Sequence, residues 1–173
     1  ELGERGMDTE GFSGRDGRTT IFDYWMLDKI RRWRNHGRFD NRQLTPAELS
    51  LQQFYSRLLG LANNETVLRE GQMYDLMYAN LRNPHFNPGK QFAFVRCLGR
   101  ELVLAVVNFD DADAEVDINI PQHFFEFFGL TETESVRAEG LLATCPFQIS
   151  FTFEKPTRLL VPANSGRLLR FSL

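Results

Sequence analysis

The chain is 173 residues long, carries a formal charge of −3, and is 42% hydrophobic and 25% charged. This is the composition of a folded protein, long enough for one domain of ordinary size with an appendage. The acidic balance excludes a general binder of nucleic acid or anionic membrane, since both need a basic surface, and no apolar run approaches the length of a membrane span.

The first part, residues 1–44, is rich in Gly, Arg and Asp and shows little sustained periodicity. It opens "ELGERGMDTEGFSGRDGRTTIFDYW", with neither an initiator methionine nor an apolar leader, so the compartment is not legible. "GFSGRDGR" packs three glycines into eight residues, a loop signal. Ser13 is not a nucleophile elbow, because Arg15 stands where the closing glycine belongs and no strand precedes it. "IFDYWMLDKIRRWRNHGRF" can hold a short helix, with Tyr24, Leu27 and Ile30 or Arg31 at helical spacing. Within it, "FDYW" sets Asp23 among Phe22, Tyr24 and Trp25, a grouping that suits a sugar-binding surface, a core or an interface. His36 lies near Asp40 and Arg42, which reads as a polar loop rather than acid–base machinery.

The second part is one amphipathic helix over 46–62. Thr45 caps it, Pro46 takes the first helical position, and Glu48 completes a capping box. Leu51, Phe54, Tyr55, Leu58, Leu59 and Ala62 form one apolar stripe. Covering that stripe is worth about 8–15 kcal/mol, so it is expected to lie on something.

From about residue 65 the chain reads as strands and turns. "MYDLMYAN" is one candidate strand; "KQFAFVRCL" and "RELVLAVVNF" form a hairpin about Gly99. "AEVDINI" alternates, with Val116, Ile118 and Ile120 on one face and Glu115, Asp117 and Asn119 on the other. "SVRAEGLLA", "FQISFTF", "TRLLVPA" and "RLLRFSL" follow, which makes about eight short strands with no alternating helices and hence antiparallel sheets in a sandwich or barrel. "QHFFEFFG" suits a buried helical turn as well as a strand. Asp110, Asp111 and Asp113 read as a turn, not a calcium loop. His36, His85 and His123 show no metal-ligand spacing, and Cys97 and Cys145 read as two buried free thiols, with a single disulfide as the alternative. No metal or other cofactor is expected.

The order of these parts resembles the C-terminal end of an α-amylase family enzyme, glycoside hydrolase family thirteen. In that family the last barrel strand ends in a Tyr-Tyr-Gly-Gln-Glu-like sequence, and "ELGERG" would begin at its Glu, as Glu1. The final barrel helix reads like "FYxxLIxLR", matched by Phe54, Tyr55, Leu58, Leu59 and Leu61, with Ala62 in place of the usual Arg. Leu102 to Phe109 resembles the family's "LVVxNF" strand, and "LLVPANSGRLLRF" its closing "LxPxSxxVLxL". The resemblance covers nearly the whole chain. It implies residues 1–64 as an irregular remnant of the catalytic barrel, including its final helix, and residues 65–173 as an antiparallel Greek-key β-sandwich, the family's domain C.

Retaining glycoside hydrolysis needs two carboxyl groups roughly 5 Å apart. By the resemblance, those groups and a third acid would lie upstream of Glu1, so this chain is expected to be inactive by itself, part of an enzyme acting on α-glucans. "NHGRFDNR" is not the family's Asn-His-Asp motif, since Gly37 replaces the acid. In the intact enzyme Arg15, Asp16, Arg18 and Asp23 would contact sugar hydroxyls, and Tyr24 or Trp25 would stack. The stripe on helix 46–62 is expected to pack on the sandwich with help from the amino-terminal segment, or to pair in a homodimer. Two other readings are a carbohydrate-binding module and a stand-alone interaction domain. The module reading needs exposed aromatic platforms, and beyond residue 65 the chain offers no Trp and only Tyr74 and Tyr78 among its tyrosines.

Overall fold

The computed structural model describes residues 28–143 and 146–173. The chain divides into two compact units, Glu1–Leu59 and Gly60–Leu173. The first begins, in its described part, with α1 (Asp28–Arg34), whose first turn is acidic at Asp28 and whose last turn is basic, the order that suits a helix dipole. A 3-10 turn, Asn35–Gly37, follows. Asn35, His36, Phe39 and Asn41 all take positive φ here, a crowding of left-handed residues that side-chain bonds must hold. Buried Asn35 supplies one, its Nδ2 donating to Asp40 Oδ1 at 2.6 Å, and Trp33 meets Phe39 edge to face at 5.1 Å.

Helix α2 (Pro46–Asn64) starts as its sequence predicts and runs across the boundary between the units. The capping box is formed: Thr45 N–H donates to Glu48 Oε2 at 2.9 Å and Glu48 N–H to Thr45 Oγ1 at 3.3 Å. The Arg32 guanidinium adds a bidentate contact to the same carboxylate. Those bonds, Arg32 first, hold the Glu48 carboxyl down at about 2. Along the stripe, Phe54, Tyr55 and Leu59 are 46%, 39% and 51% exposed in the single chain.

The second unit carries the strands. After the last turn of α2 come α3 (Thr66–Glu70), β1 (Gln72–Asp75), α4 (Met77–Asn80), β2 (Gln91–Leu98), β3 (Glu101–Asn108), β4 (Ala114–Ile118), α5 (Gln122–Phe128), β5 (Thr133–Gly140), β6 (Pro146–Phe151), β7 (Thr157–Val161) and β8 (Ser165–Ser172). Six strands form one sheet in the order β1-β2-β3-β8-β5-β6, and β4 pairs β7 in a second. Every recorded pairing is antiparallel. The fold is therefore mainly β and sandwich-like, as expected. The return of β8 between β3 and β5 is a crossing of the Greek-key kind.

The main core lies between the sheets. Ala93, Val95, Leu102, Leu104, Val106, Leu169 and Phe171 face Val116, Ile118, Leu159 and Val161, with Phe124 and Phe125 of α5 closing one end. Phe124 is its aromatic centre, edge to face with Tyr74, Phe125 and Phe151. A second, smaller cluster covers the outer face of β3: Val67, Val103 and Leu141, with Leu61, Leu68 and Leu168 against them. β3 is thus buried on both faces, which explains its unbroken apolar run.

One expectation needs correction. "MYDLMYAN" is not one strand. Asp75 Oδ1 accepts the Met77 N–H at 2.7 Å, an Asx-type bond that ends β1 and starts α4. Asp117, on the polar face of β4, is buried under its cross-strand neighbour Arg158, whose Nε and Nη2 lie 2.7 and 2.9 Å from the carboxylate. "QHFFEFFG" resolves as helix, stopped by Gly129 at φ 63°, the left-handed residue of a C-cap.

Candidate functional site

The six residues predicted to contact sugar, Arg15, Asp16, Arg18, Asp23, Tyr24 and Trp25, lie outside the described residues, as does Cys145. Cys97 is buried and free, its thiol pushed up by desolvation. The Asp110–Asp113 segment is a turn, as read: Lys90 Nζ bridges Asp110 at 2.8 Å and Asp113 Oδ1 accepts the Ala163 N–H at 2.9 Å. No group of three or more potential metal ligands converges among the described residues.

His36, Asp40 and Arg42 share a loop without forming a dyad. Asp40 is occupied by Asn35 and lies 3.4 Å from Arg42, and the Asn35 bond lowers its carboxyl. A cavity in the first unit is lined by Arg31, Arg34, His36 and Gln43. The described carboxyls whose titration is displaced are all pushed down: Glu48 by Arg32, Asp40 by Asn35, Asp110 by Lys90 and Asp117 by Arg158. That is the behaviour of structural bridges; a glycosidic general acid needs the opposite shift.

Among the described residues, the most organised aromatic–polar surface is one the sequence did not show. Tyr74 on β1 is buried, and its hydroxyl lies 2.6 Å from the Tyr78 hydroxyl on α4 and 2.8 Å from His123 Nδ1 on α5. Burial, then the Tyr78 bond, pushes the Tyr74 phenol far up, so it stays protonated. Phe127, one helical turn after His123, stacks at 5.8 Å and 32° from the imidazole. Tyr78 and Phe127 are 54% and 51% exposed. Gln122 Nε2 donates to Glu126 Oε1 at 2.8 Å on the same helix. The i, i+4 pair His123 and Phe127 was visible in "QHFFEFF", but only a helical assignment puts the two on one face.

No protein-family model matches the sequence, and no curated protein matches it. Solved structures do. The chain is similar to a noncanonic maltogenic α-amylase, AmyB, from Thermotoga neapolitana, at 17% identity and TM-score 0.52, over 73% of this chain and 26% of that one. An Anoxybacillus α-amylase aligns at 17% identity and TM-score 0.50, over 77% and 25%. The Geobacillus thermoleovorans α-amylase, complexed with acarbose, aligns at 13% and 0.50, over 79% and 26%. The chain thus spans about a quarter of the length of these enzymes. The chain therefore shares the fold of a part of these α-amylases.

Proposed function

We propose that this chain is the C-terminal scaffold of an α-amylase-type glycoside hydrolase acting on α-glucans, with its catalytic carboxylates supplied by a barrel that precedes it. The observation that carries this reading is the shared fold with a quarter-length part of three bacterial α-amylases. Two features support it. One amphipathic helix leads into an antiparallel sandwich, the order expected of a final barrel helix and domain C. The described carboxyls with displaced titration are held down in structural bonds, unlike the raised carboxyl of a general acid, which agrees with this reading.

On this reading the exposed face of α2, through Phe54, Tyr55 and Leu59, packs on the barrel of the same polypeptide. Residues 1–25 join the barrel's active-site face, where Arg15, Asp16, Arg18 and Asp23 meet sugar hydroxyls and Tyr24 or Trp25 stacks. In the isolated chain the same α2 face pairs two copies, because an uncovered apolar stripe favours association.

The test is release of reducing ends from starch, by this chain alone and by the polypeptide extended through the barrel. The expected result is activity only in the extended form. Hydrolysis by the 173-residue chain, or an inactive extended form with no acidic residues at its barrel strand ends, would overturn the reading.

A further inference from the structure

We infer that Tyr78, His123 and Phe127 form a surface site on the β unit that holds an α-glucan chain. The choice of an α-glucan, rather than another neutral sugar, rests on the function proposed above; the site itself rests on geometry. Its two ends are fixed by one buried hydroxyl. Tyr74 has a single proton to donate, and it stands between Tyr78 and His123 at 2.6 and 2.8 Å.

Only two arrangements satisfy both bonds with a neutral imidazole and also use the buried Tyr74 proton; a Tyr74 that accepted from both partners would leave that proton without an acceptor. In one, Tyr74 donates to His123 Nδ1 and accepts from Tyr78; His123 then carries its proton on Nε2, and the Tyr78 oxygen is an acceptor. In the other, His123 Nδ1–H donates to Tyr74, which donates to Tyr78; the Tyr78 O–H is then the donor and His123 Nε2 the acceptor. Either way the pair presents one donor and one acceptor. The desolvation that keeps Tyr74 protonated keeps the relay intact.

A sugar is the ligand that fits both arrangements. Each hydroxyl both donates and accepts, so two vicinal hydroxyls satisfy either polarity of the relay. The half-exposed rings of Tyr78 and Phe127 supply flat apolar surface for the C–H faces of the pyranose. The nearest charged neighbour on α5 is Glu126, paired with Gln122, which disfavours phosphate and other anions and leaves a neutral polyol as the matching class. The three side chains come from α4 and α5 and are tied to buried Tyr74, so the site is pre-organised on short rigid elements.

The experiment is calorimetric titration of the full 173-residue chain with maltoheptaose, with cellohexaose as the second arm. Tyr78→Ala and Phe127→Ala are compared with the parent chain, and thermal melts establish that each variant is folded. Saturable maltoheptaose binding is expected, weaker by about tenfold in each variant, the loss typical of a ring at the centre of a contact. Tyr78→Phe keeps the ring, loses one end of the relay, and should fall between. Absence of saturable binding, or variants that bind like the parent, would overturn the site. Equal affinity for cellohexaose would overturn the α-glucan assignment. Starch hydrolysis by the extended polypeptide is read separately, so an active enzyme whose chain binds no maltoheptaose sinks this inference alone.

Discussion

Gly71 sits where α3 ends and β1 begins, and its lack of a side chain lets two backbones touch. Its φ of −62° is ordinary, so any residue could adopt the conformation. Space is the obstacle. A Cβ built there would lie 2.3 Å from the Val67 carbonyl oxygen, 3.0 Å from that of Cys97 and 3.2 Å from the Cys97 carbonyl carbon. All three neighbours are backbone, and none can swing aside. To reach ordinary contact, residue 71 must move about 1 Å from the last turn of α3 while also easing away from β2, which costs about 1–3 kcal/mol in a packed interior. The same movement strains the bond from Gly71 N–H to the Val67 oxygen at 3.1 Å, worth about 0.5–1.5 kcal/mol. Gly71→Ala should therefore destabilise by about 2–4 kcal/mol, a large fraction of the roughly 5–15 kcal/mol that holds a domain together. Gly60 is the control, since nothing lies within 4 Å of its added Cβ and it sits inside α2. Gly60→Ala should stabilise by about 0.5–1 kcal/mol through helix propensity and chain entropy. Urea unfolding followed by far-UV circular dichroism measures both, and the midpoint of Gly71→Ala should fall by roughly 1–2 M. A Gly71→Ala change within 0.5 kcal/mol of the parent, or a Gly60→Ala loss of equal size, would refute the argument from close approach.

Phe124→Ala removes the aromatic centre of the main core and should cost about 3–5 kcal/mol in the same assay. Buried Asn80 accepts at Oδ1 from Asn83 Nδ2 and Asn119 N–H and donates to the Leu76 and Asn119 oxygens; Asn80→Leu orphans those groups and should cost about 1–3 kcal/mol, seen as faster amide exchange at Asn119. Glu48 titrates at about 2 in the folded chain and at 4.5 in the unfolded one. Its depressed value means the added stability of the first turn of α2 is full above pH 4.5, shrinks as pH falls and is gone below about 2; amide exchange at Leu49 against pH reads it, and Glu48→Gln should flatten the profile. The isolated chain should sediment as a dimer at high concentration and Leu59→Glu as a monomer; a monomeric parent chain refutes the pairing of α2.

The elements legible in the sequence were those whose pattern is local. The Thr45–Glu48 box, the Gly99 hairpin and the Val116–Ile118–Ile120 face all follow from spacing within a few residues. What was not legible depends on partners distant along the chain. Asp117 is buried because Arg158, from another strand, lies over it, and no alternation rule reports that. "MYDLMYAN" has strand-like apolar residues, yet one carboxylate bond redirects its backbone. The relay through Tyr74 joins α4 and α5 across an interval no periodicity spans. Counting tyrosines argued against a sugar platform, but a count does not see that the fold groups a tyrosine, a histidine and a phenylalanine on one surface.

β3 has a roof as well as a floor. Its floor is the main core, and its roof is Val67, Leu68 and Leu61, residues that precede the first strand. Arg170 of β8 pins that roof, holding Glu65 at 2.7 Å and Glu139 at 2.6 Å. A designer who trimmed the protein to its strands, starting at Gln72, would leave Val103 and Leu141 bare to water. The sandwich is complete only when it keeps the stub of the helix that leads into it, so the joint between helix and sheet is shared structure that neither side can surrender.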